Sequence, residues 1–186
     1  MNNDPIDEPE WWRSRYSGVE PSGHTLRAAF PDRWFRIHSL PQSKRYPDDL
    51  SDWETLIARH RSISDAVLGA QPVCYLVTPW WCWKESCFSE FELRAIPSLP
   101  EYRPAPDELP SGGYYGARVT WNFERFEPVL RDVAEDKVRT TVILENEPAA
   151  YAPYDGGADL FLPNKQRRDS LREDFKKFLS SRSDGL

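Results

Sequence analysis

The sequence lacks the motifs that most often mark an enzyme. It contains no phosphate-binding Gly-Lys-Ser/Thr loop, no dinucleotide glycine fingerprint, no His-Glu-x-x-His pair and no Gly-x-Ser-x-Gly elbow. Histidine and cysteine, which supply many catalytic and metal-binding groups, occur only three times each. These absences argue against an enzyme without excluding one, and we expect no cofactor.

Long apolar runs are also missing. No stretch approaches the roughly 20 apolar residues that a membrane helix needs. Residues 1–8 are acidic and lack the charged-then-apolar order of a signal peptide. The odd, clustered set of Cys74, Cys82 and Cys87 does not fit a secreted disulfide framework, and without a second pair or a nearby histidine it does not fit a zinc site. We therefore expect a cytoplasmic protein without membrane contact.

Negative charge exceeds positive charge along the chain. The formal net charge is −6 and the isoelectric point is about 5.2, so a nucleic-acid backbone would be repelled. Hydrophobic residues make up 39% of the 186 residues, which is enough apolar material for a folded core. We predict a tail or docking segment over residues 1–23 and one domain over residues 24–186.

The pattern of apolar residues predicts a mixture of helices and strands in irregular order. The clearest helix covers about residues 51–68, with Ser51 and Glu54 as a capping box and Gly69 as its end. His60 lies on the apolar stripe of this helix, and we expect it to be buried with one hydrogen-bond partner. Two more helices are predicted over 123–135 and after Asn164. Strands are predicted at 33–38, 73–78, 88–96, 114–121 and 140–144, with a closing hairpin at roughly 140–162. The fold class is therefore α+β, with a mixed, mostly antiparallel sheet covered by about three helices.

The first candidate site is the cationic segment, residues 36–46. Its candidate anion-binding residues are Arg36, Ser43, Lys44 and Arg45. His38 ends the predicted strand and is the histidine that we consider as a general acid or base. The alternative, which we favour because charge runs usually form solvated surface, is a loop whose cations pair with the nearby aspartates at 48, 49 and 52.

The second candidate site is the diglycine segment, residues 151–159. Asp155 and Asp159 flank Gly156-Gly157, whose freedom at positive φ would form a tight turn with both carboxylates on one side. Two carboxylates suit a hard cation such as magnesium or calcium, and Asp155 could instead orient His38 as its catalytic partner. The full calcium-loop spacing is absent, so a turn is favoured over a metal site.

Aromatic residues form a third candidate. Trp80, Trp81 and Trp83 are crowded together, and Tyr154 lies within the diglycine segment. Exposed, they would form a protein-interaction surface; buried, they would fill the core. The sequence leaves both alternatives open.

The two charged segments carry a resemblance to a known family. The motifs HSLPxSKRY at 38–46 and PYDGGAD at 153–159 resemble those of a family of small uncharacterised bacterial proteins. The resemblance implies a bacterial, cytoplasmic, single-domain protein. It implies no reaction, ligand or catalytic residue.

Three hypotheses follow. In the first, the chain is a non-enzymatic interaction protein, such as an immunity or inhibitor partner of a basic toxin. In the second, it is an enzyme or sensor that binds a small phosphate or carboxylate ligand where the cationic and diglycine segments meet. In the third, the two segments only hold the fold together, with Arg45 or Lys44 bonded to Asp155 or Asp159. The last two require the segments to be neighbours in space.

Overall fold

The fold consists of helices and antiparallel strands in the order expected of an α+β protein. The computed structural model describes residues 16, 19, 22–69, 73–80, 113–137, 141–144, 149–180, 182 and 185. Within these residues the helices are α1 (Gly23–Ala29), α2 (Leu50–Leu68), α3 (Phe123–Ala134) and α4 (Lys165–Asp174). The strands are β1 (Trp34–His38), β2 (Val73–Trp80), β3 (Gly113–Thr120), β4 (Thr141–Leu144), β5 (Ala150–Tyr154) and β6 (Gly157–Phe161). The predicted α+β class is confirmed.

The described strands form one sheet in the order β1-β6-β5-β4-β2-β3. Each neighbouring pair in this sheet is antiparallel. Strand β1 therefore lies beside β6, with Arg36 opposite Asp159 and His38 opposite Gly157. This pairing brings the cationic segment to the diglycine segment.

Side-chain caps set the start of the long helices. Asp49 has extended backbone and accepts a hydrogen bond from the N–H of Asp52, so α2 begins at Leu50. The predicted capping box at Ser51 is therefore wrong, because the carboxylate of Asp49 already occupies the cap position. The predicted end is correct, since Gly69 terminates α2 at a φ of 80°.

Helix α1 has no counterpart among the predicted helices. It is only seven residues long, starts with glycine and buries a single side chain, Leu26, so its apolar pattern is too short to detect. Ser22 caps it by accepting from the N–H of Thr25. Tyr16, from the predicted tail, is fully buried in the same apolar cluster as Leu26.

The sheet is covered on both faces beside β1, β5 and β6. The larger cluster packs α2, α3 and α4 against side chains such as Tyr151 and Leu160. The smaller cluster on the other face joins α1 to Ala152 and Phe161. All of β6 is consequently buried, as expected for a strand covered on two sides.

None of the helices found among the described residues is both long enough and apolar enough to cross a membrane. The predicted strand at 88–96 lies outside the described residues.

Candidate functional site

The cationic and diglycine segments lie side by side. Beyond the β1–β6 pairing, the N–H of Ser39 donates to the carbonyl of Gly156 across 3.0 Å. The hairpin turn between β5 and β6 thus sits against the chain that leaves β1. Two ion pairs join side chains of the two segments near this junction.

The buried contact between the segments is an ion pair between Arg36 and Asp159. Arg36 donates from Nε to Oδ1 over 2.8 Å and from its terminal nitrogen to Oδ2 over 2.9 Å. Trp34 Nε1 donates to the same Oδ1 over 2.8 Å, and the Tyr154 ring stacks 4.6 Å from the guanidinium carbon. The side chains of Arg36 and Asp159 are 16% and 6% exposed.

The surroundings of Arg36 keep it charged. Burial alone would lower its pKa, but the hydrogen bonds and charge of Asp159 offset this and leave the pKa of Arg36 raised. Because both oxygens of Asp159 are engaged, an external anion at Arg36 would have to displace a buried carboxylate.

A second pair, between Arg45 and Asp155, lies at the surface. Arg45 Nε donates to Asp155 Oδ2 over 2.5 Å, and the Tyr46 hydroxyl donates to the same oxygen over 2.9 Å. The Arg45 side chain is 63% exposed, whereas that of Asp155 is 8% exposed. The hydrogen bond that Arg45 donates to Asp155 raises the pKa of Arg45.

The remaining anion-binding candidates face the loop before α2. Lys44 forms ion pairs with Asp48 and Asp52, whose hydrogen bonds raise its pKa. Ser43 is exposed and has a positive φ of 56°. The three candidate cations of the cationic segment, Arg36, Lys44 and Arg45, therefore each meet a carboxylate of the same chain.

The two aspartates do not converge on a common point for a cation. Asp155 accepts from Arg45 and Tyr46, while Asp159 accepts from Arg36 and Trp34. In the part of the chain that the structure describes, no group of three or more histidine, cysteine or carboxylate side chains could hold a metal ion. Both carboxylates are thus used in cross-segment contacts.

The glycines act by their small size. Neither Gly156 nor Gly157 has φ in the left-handed region, so the expectation of positive φ is wrong. A Cβ at Gly157 would lie 2.0 Å from the carbonyl oxygen of Ile37 and 2.9 Å from the Tyr154 hydroxyl. Glycine is required there because β1 and the Tyr154 ring approach the backbone too closely for any side chain.

His38 lies near the junction but not on Asp155. Its Nε2 is buried and has no hydrogen-bond partner among the described residues, while its carbonyl accepts from the Arg59 guanidinium over 3.0 Å. Burial, and then the charges of Arg36 and Arg59, lower the pKa of His38. The carboxylate of Asp155 instead bonds to Arg45 and Tyr46.

His60 belongs to a buried hydrogen-bonded chain. Its Nε2 lies 2.8 Å from the Ser39 hydroxyl and its Nδ1 lies 2.5 Å from the Tyr151 hydroxyl. All three residues are buried, and burial lowers the pKa of His60 to about 3, so the imidazole is neutral. His60 therefore has two partners where one was expected, and it links β5, α2 and the end of β1.

The aromatic and cysteine candidates are only partly described. Trp80 ends β2, whereas Trp81 and Trp83 lie outside the described residues. Tyr154 packs on Arg36. Cys74 is buried, which raises its pKa to about 12 and makes it an unreactive core thiol.

Sequence reasoning missed an exposed, partly apolar surface around the start of α2. Tyr46 and Leu50 are 45% and 73% exposed, and they are the exposed large hydrophobic residues of the described chain. Asp49, Glu54 and Asp136 are also exposed, and the charge of Asp136 is among those that raise the pKa of Tyr46, after the hydrogen bond to Asp155. We call these five residues the Tyr46–Leu50 surface. Leu50 signals it in the sequence, because it directly follows two aspartates, Asp48 and Asp49, and precedes the apolar stripe of α2.

A family model described as a domain of unknown function, DUF3885, matches residues 22–183. Since this match covers most of the chain, the chain belongs to that family, and the resemblance to an uncharacterised family is confirmed. The match begins at Ser22, the cap of α1. No curated protein and no solved structure matches the chain.

Proposed function

Taking membership of this family as the premise, we propose that the chain is a non-enzymatic binding protein whose partner is a basic protein. The observation that carries the proposal is the Tyr46–Leu50 surface, where two apolar side chains are exposed among acidic ones. Aromatic and aliphatic anchors with a charged rim are typical of protein interfaces.

The balance of charge supports a basic partner. Lys44 and Arg45, which precede Tyr46 in the chain, and Lys137, which follows Asp136, are already paired with carboxylates. Asp49, Glu54 and Asp136 form no ion pair within the described residues, so their charge is available to a partner. The net charge of −6 would also attract a basic protein from a distance.

The burial of His60 and the ion pairs of Asp155 and Asp159 support a binding role over catalysis. The neutral His60 is enclosed with Ser39 and Tyr151, and no solvent reaches any of these side chains appreciably. Asp155 and Asp159 are both occupied by arginines. A catalytic carboxylate or imidazole needs access to substrate, which these groups lack in this arrangement.

A more specific form of the proposal is an immunity or inhibitor protein in the bacterial cytoplasm that masks the cationic surface of a toxin. The acidic, partly apolar surface suits that task, since a basic active-site or nucleic-acid-binding face would be neutralised on contact. The binding role does not depend on this more specific form.

The proposal is tested by capture at low and high salt. Immobilised wild-type protein is incubated with lysate of its source cell at low ionic strength, and bound proteins are identified by mass spectrometry. We expect one stoichiometric partner of basic isoelectric point, released by salt because exposed charges are screened. Leu50→Ser should lose that partner at unchanged melting temperature.

The matched control is Lys165→Gln, an exposed position on α4 away from the loop before α2. It should retain the partner. Absence of any stoichiometric basic protein, or equal retention by Leu50→Ser, would overturn the proposal.

A further inference from the structure

Strand β1 forms one edge of the described sheet, and β6 lies on its inner side. The N–H of Leu162 donates to the carbonyl of Arg33 over 3.0 Å, which fixes the alternation of bonded residues along the strand. Because only every second residue of an antiparallel strand bonds to a given neighbour, Trp34, Arg36 and His38 turn their backbone groups away from β6. These three residues are partly exposed, whereas the two between them are buried.

Two of the backbone groups on this outer edge are capped within the chain. The N–H of Trp34 bonds to the carbonyl of Pro31, and the carbonyl of His38 accepts from the Arg59 guanidinium over 3.0 Å. Among the described residues, no hydrogen bond reaches the carbonyl of Trp34, the N–H and carbonyl of Arg36, or the N–H of His38. A row of unpaired backbone groups on a sheet edge is a template for a further strand.

The open groups match themselves under a twofold axis through Arg36. When β1 of a second copy runs antiparallel with Arg36 opposite Arg36, each arginine donates its N–H to the carbonyl of the other. Trp34 then lies opposite His38 of the second copy, and the open N–H of the histidine meets the open carbonyl of the tryptophan. The capped N–H of Trp34 faces the capped carbonyl of His38, so every open group finds a partner.

The charge on this edge does not prevent the pairing. A lysine or arginine on an edge strand often protects it from a neighbouring chain. Arg36 is instead paired with Asp159 through two hydrogen bonds, and its side chain is only 16% exposed. Two copies would therefore bring two ion pairs together, each arginine beside the aspartate of its own chain, and the charges on the shared edge would cancel.

We propose that the chain forms a twofold-symmetric dimer through the outer edge of β1, which joins the sheets of two copies into one antiparallel sheet. The occupant of the edge is a second copy because the open donors and acceptors of β1 are complementary to themselves. A twofold contact uses the same residues on both copies and closes at two chains, so the product is a dimer and not a filament. No residue of the Tyr46–Leu50 surface takes part, so this proposal is independent of the proposed basic partner.

The first test follows the mass of the full chain with protein concentration by sedimentation velocity. We expect a reversible rise from one chain mass to two. His38→Pro removes the outward N–H and leaves the bonds to β6 in place, because proline is tolerated where the nitrogen of an edge strand faces away from its neighbour. It should weaken the dimer at least about tenfold, since one bond is lost from each copy. His38→Ala keeps the N–H and is the matched control, which should retain most of the wild-type affinity.

Amide hydrogen exchange of the wild type, measured by NMR, locates the contact without a variant. The N–H groups of Arg36 and His38 should exchange several-fold more slowly at high protein concentration than at low, because they are bonded only in the dimer. Those of Phe35 and Ile37, which face β6, should be slow at both concentrations. If His38→Pro does not fold, this measurement still decides.

Three results would overturn the dimer. They are a monomer at every concentration, a dimer whose affinity is unchanged in His38→Pro, and exchange at Arg36 and His38 that does not depend on concentration. The last would mean that the edge is covered by the chain itself or that another surface pairs. Leu50→Ser should dimerise like the wild type, so loss of the basic partner and loss of the dimer are separate outcomes.

Discussion

Two arginine–aspartate pairs connect the same two segments of this chain but lie in different environments. Arg36 and Asp159 meet beneath α1 with both side chains largely enclosed, and their contact is bidentate. Arg45 and Asp155 meet at the hairpin turn, where the arginine is mostly in water. The chemical groups are the same, and both aspartates are buried. The pairs differ in the exposure of the arginine and in the second hydrogen bond that Arg36 donates.

This difference assigns the two pairs different roles. Removing one member of a buried pair leaves the other without water or partner, which is costly. Removing one member of an exposed pair lets water replace it. We infer that Arg36–Asp159 fixes β1 to β6, whereas Arg45–Asp155 only orders the loop that leads to the Tyr46–Leu50 surface.

The largest effect is expected from Asp159→Ala. It leaves Arg36 and the Trp34 N–H without their acceptor, and the free energy of unfolding should fall by about 3–5 kcal/mol, as for other broken buried ion pairs. Asp155→Ala is the matched control and should cost clearly less, since the Arg45 and Tyr46 head groups can be hydrated. Urea unfolding measures both. Equal losses in the two variants would remove the distinction between the pairs.

The second-largest effect is expected in the pH dependence of the free energy of unfolding. The pKa of His60 is lowered by burial from the ordinary 6.5 to about 3, so between these values the unfolded chain binds a proton that the folded chain does not. Stability from this group is complete above pH 6.5 and is lost as the pH falls toward 3, by about 1.4 kcal/mol per pH unit.

Urea unfolding of the wild type and of His60→Gln across pH 4–7 isolates this contribution. The variant should show a shallower dependence on pH, because glutamine does not titrate. Identical slopes would mean that His60 can be protonated inside the folded protein.

A smaller effect is expected from Tyr151→Phe. The change keeps the packing of the ring and leaves His60 Nδ1 without its partner, which should cost ~1–3 kcal/mol, the usual penalty for an unsatisfied buried polar atom. Thermal and urea unfolding measure it. A neutral or stabilising result would show that the buried hydrogen-bonded chain is dispensable.

The smallest effect is expected from Arg45→Gln. The arginine is well exposed, and the buried Asp155 keeps one hydrogen bond, so the urea midpoint should fall only slightly, and less at high salt. Asp155 would then rely on the Tyr46 hydroxyl. A midpoint shift as large as that of Tyr151→Phe would show that the exposed pair also supports the fold.

Much of the fold follows from local sequence signals. The apolar stripe and terminal glycine locate α2, and Asn122 and Asn164 cap α3 and α4 through their side chains. The sequence cannot show which of several nearby polar residues takes a cap, and for α2 the carboxylate of Asp49 precedes Ser51. Helix α1 escapes prediction because its single buried residue gives no periodicity.

The site is less predictable, because it depends on strand order. Charge pattern alone allowed Asp159 to meet either Arg36 or Arg45, and only the β1–β6 register places it opposite Arg36. The role of Gly157 likewise depends on a carbonyl more than a hundred positions earlier, Ile37.

The most direct test measures stability and partner retention on the same preparations of Asp159→Asn and Leu50→Ser. If the buried junction serves the fold and the acidic loop serves recognition, Asp159→Asn will unfold at lower urea yet keep the basic partner while folded. Leu50→Ser will unfold at the same urea concentration as the wild type but will no longer retain the partner. The reverse pattern, with binding lost at Asp159 and kept at Leu50, would contradict this account.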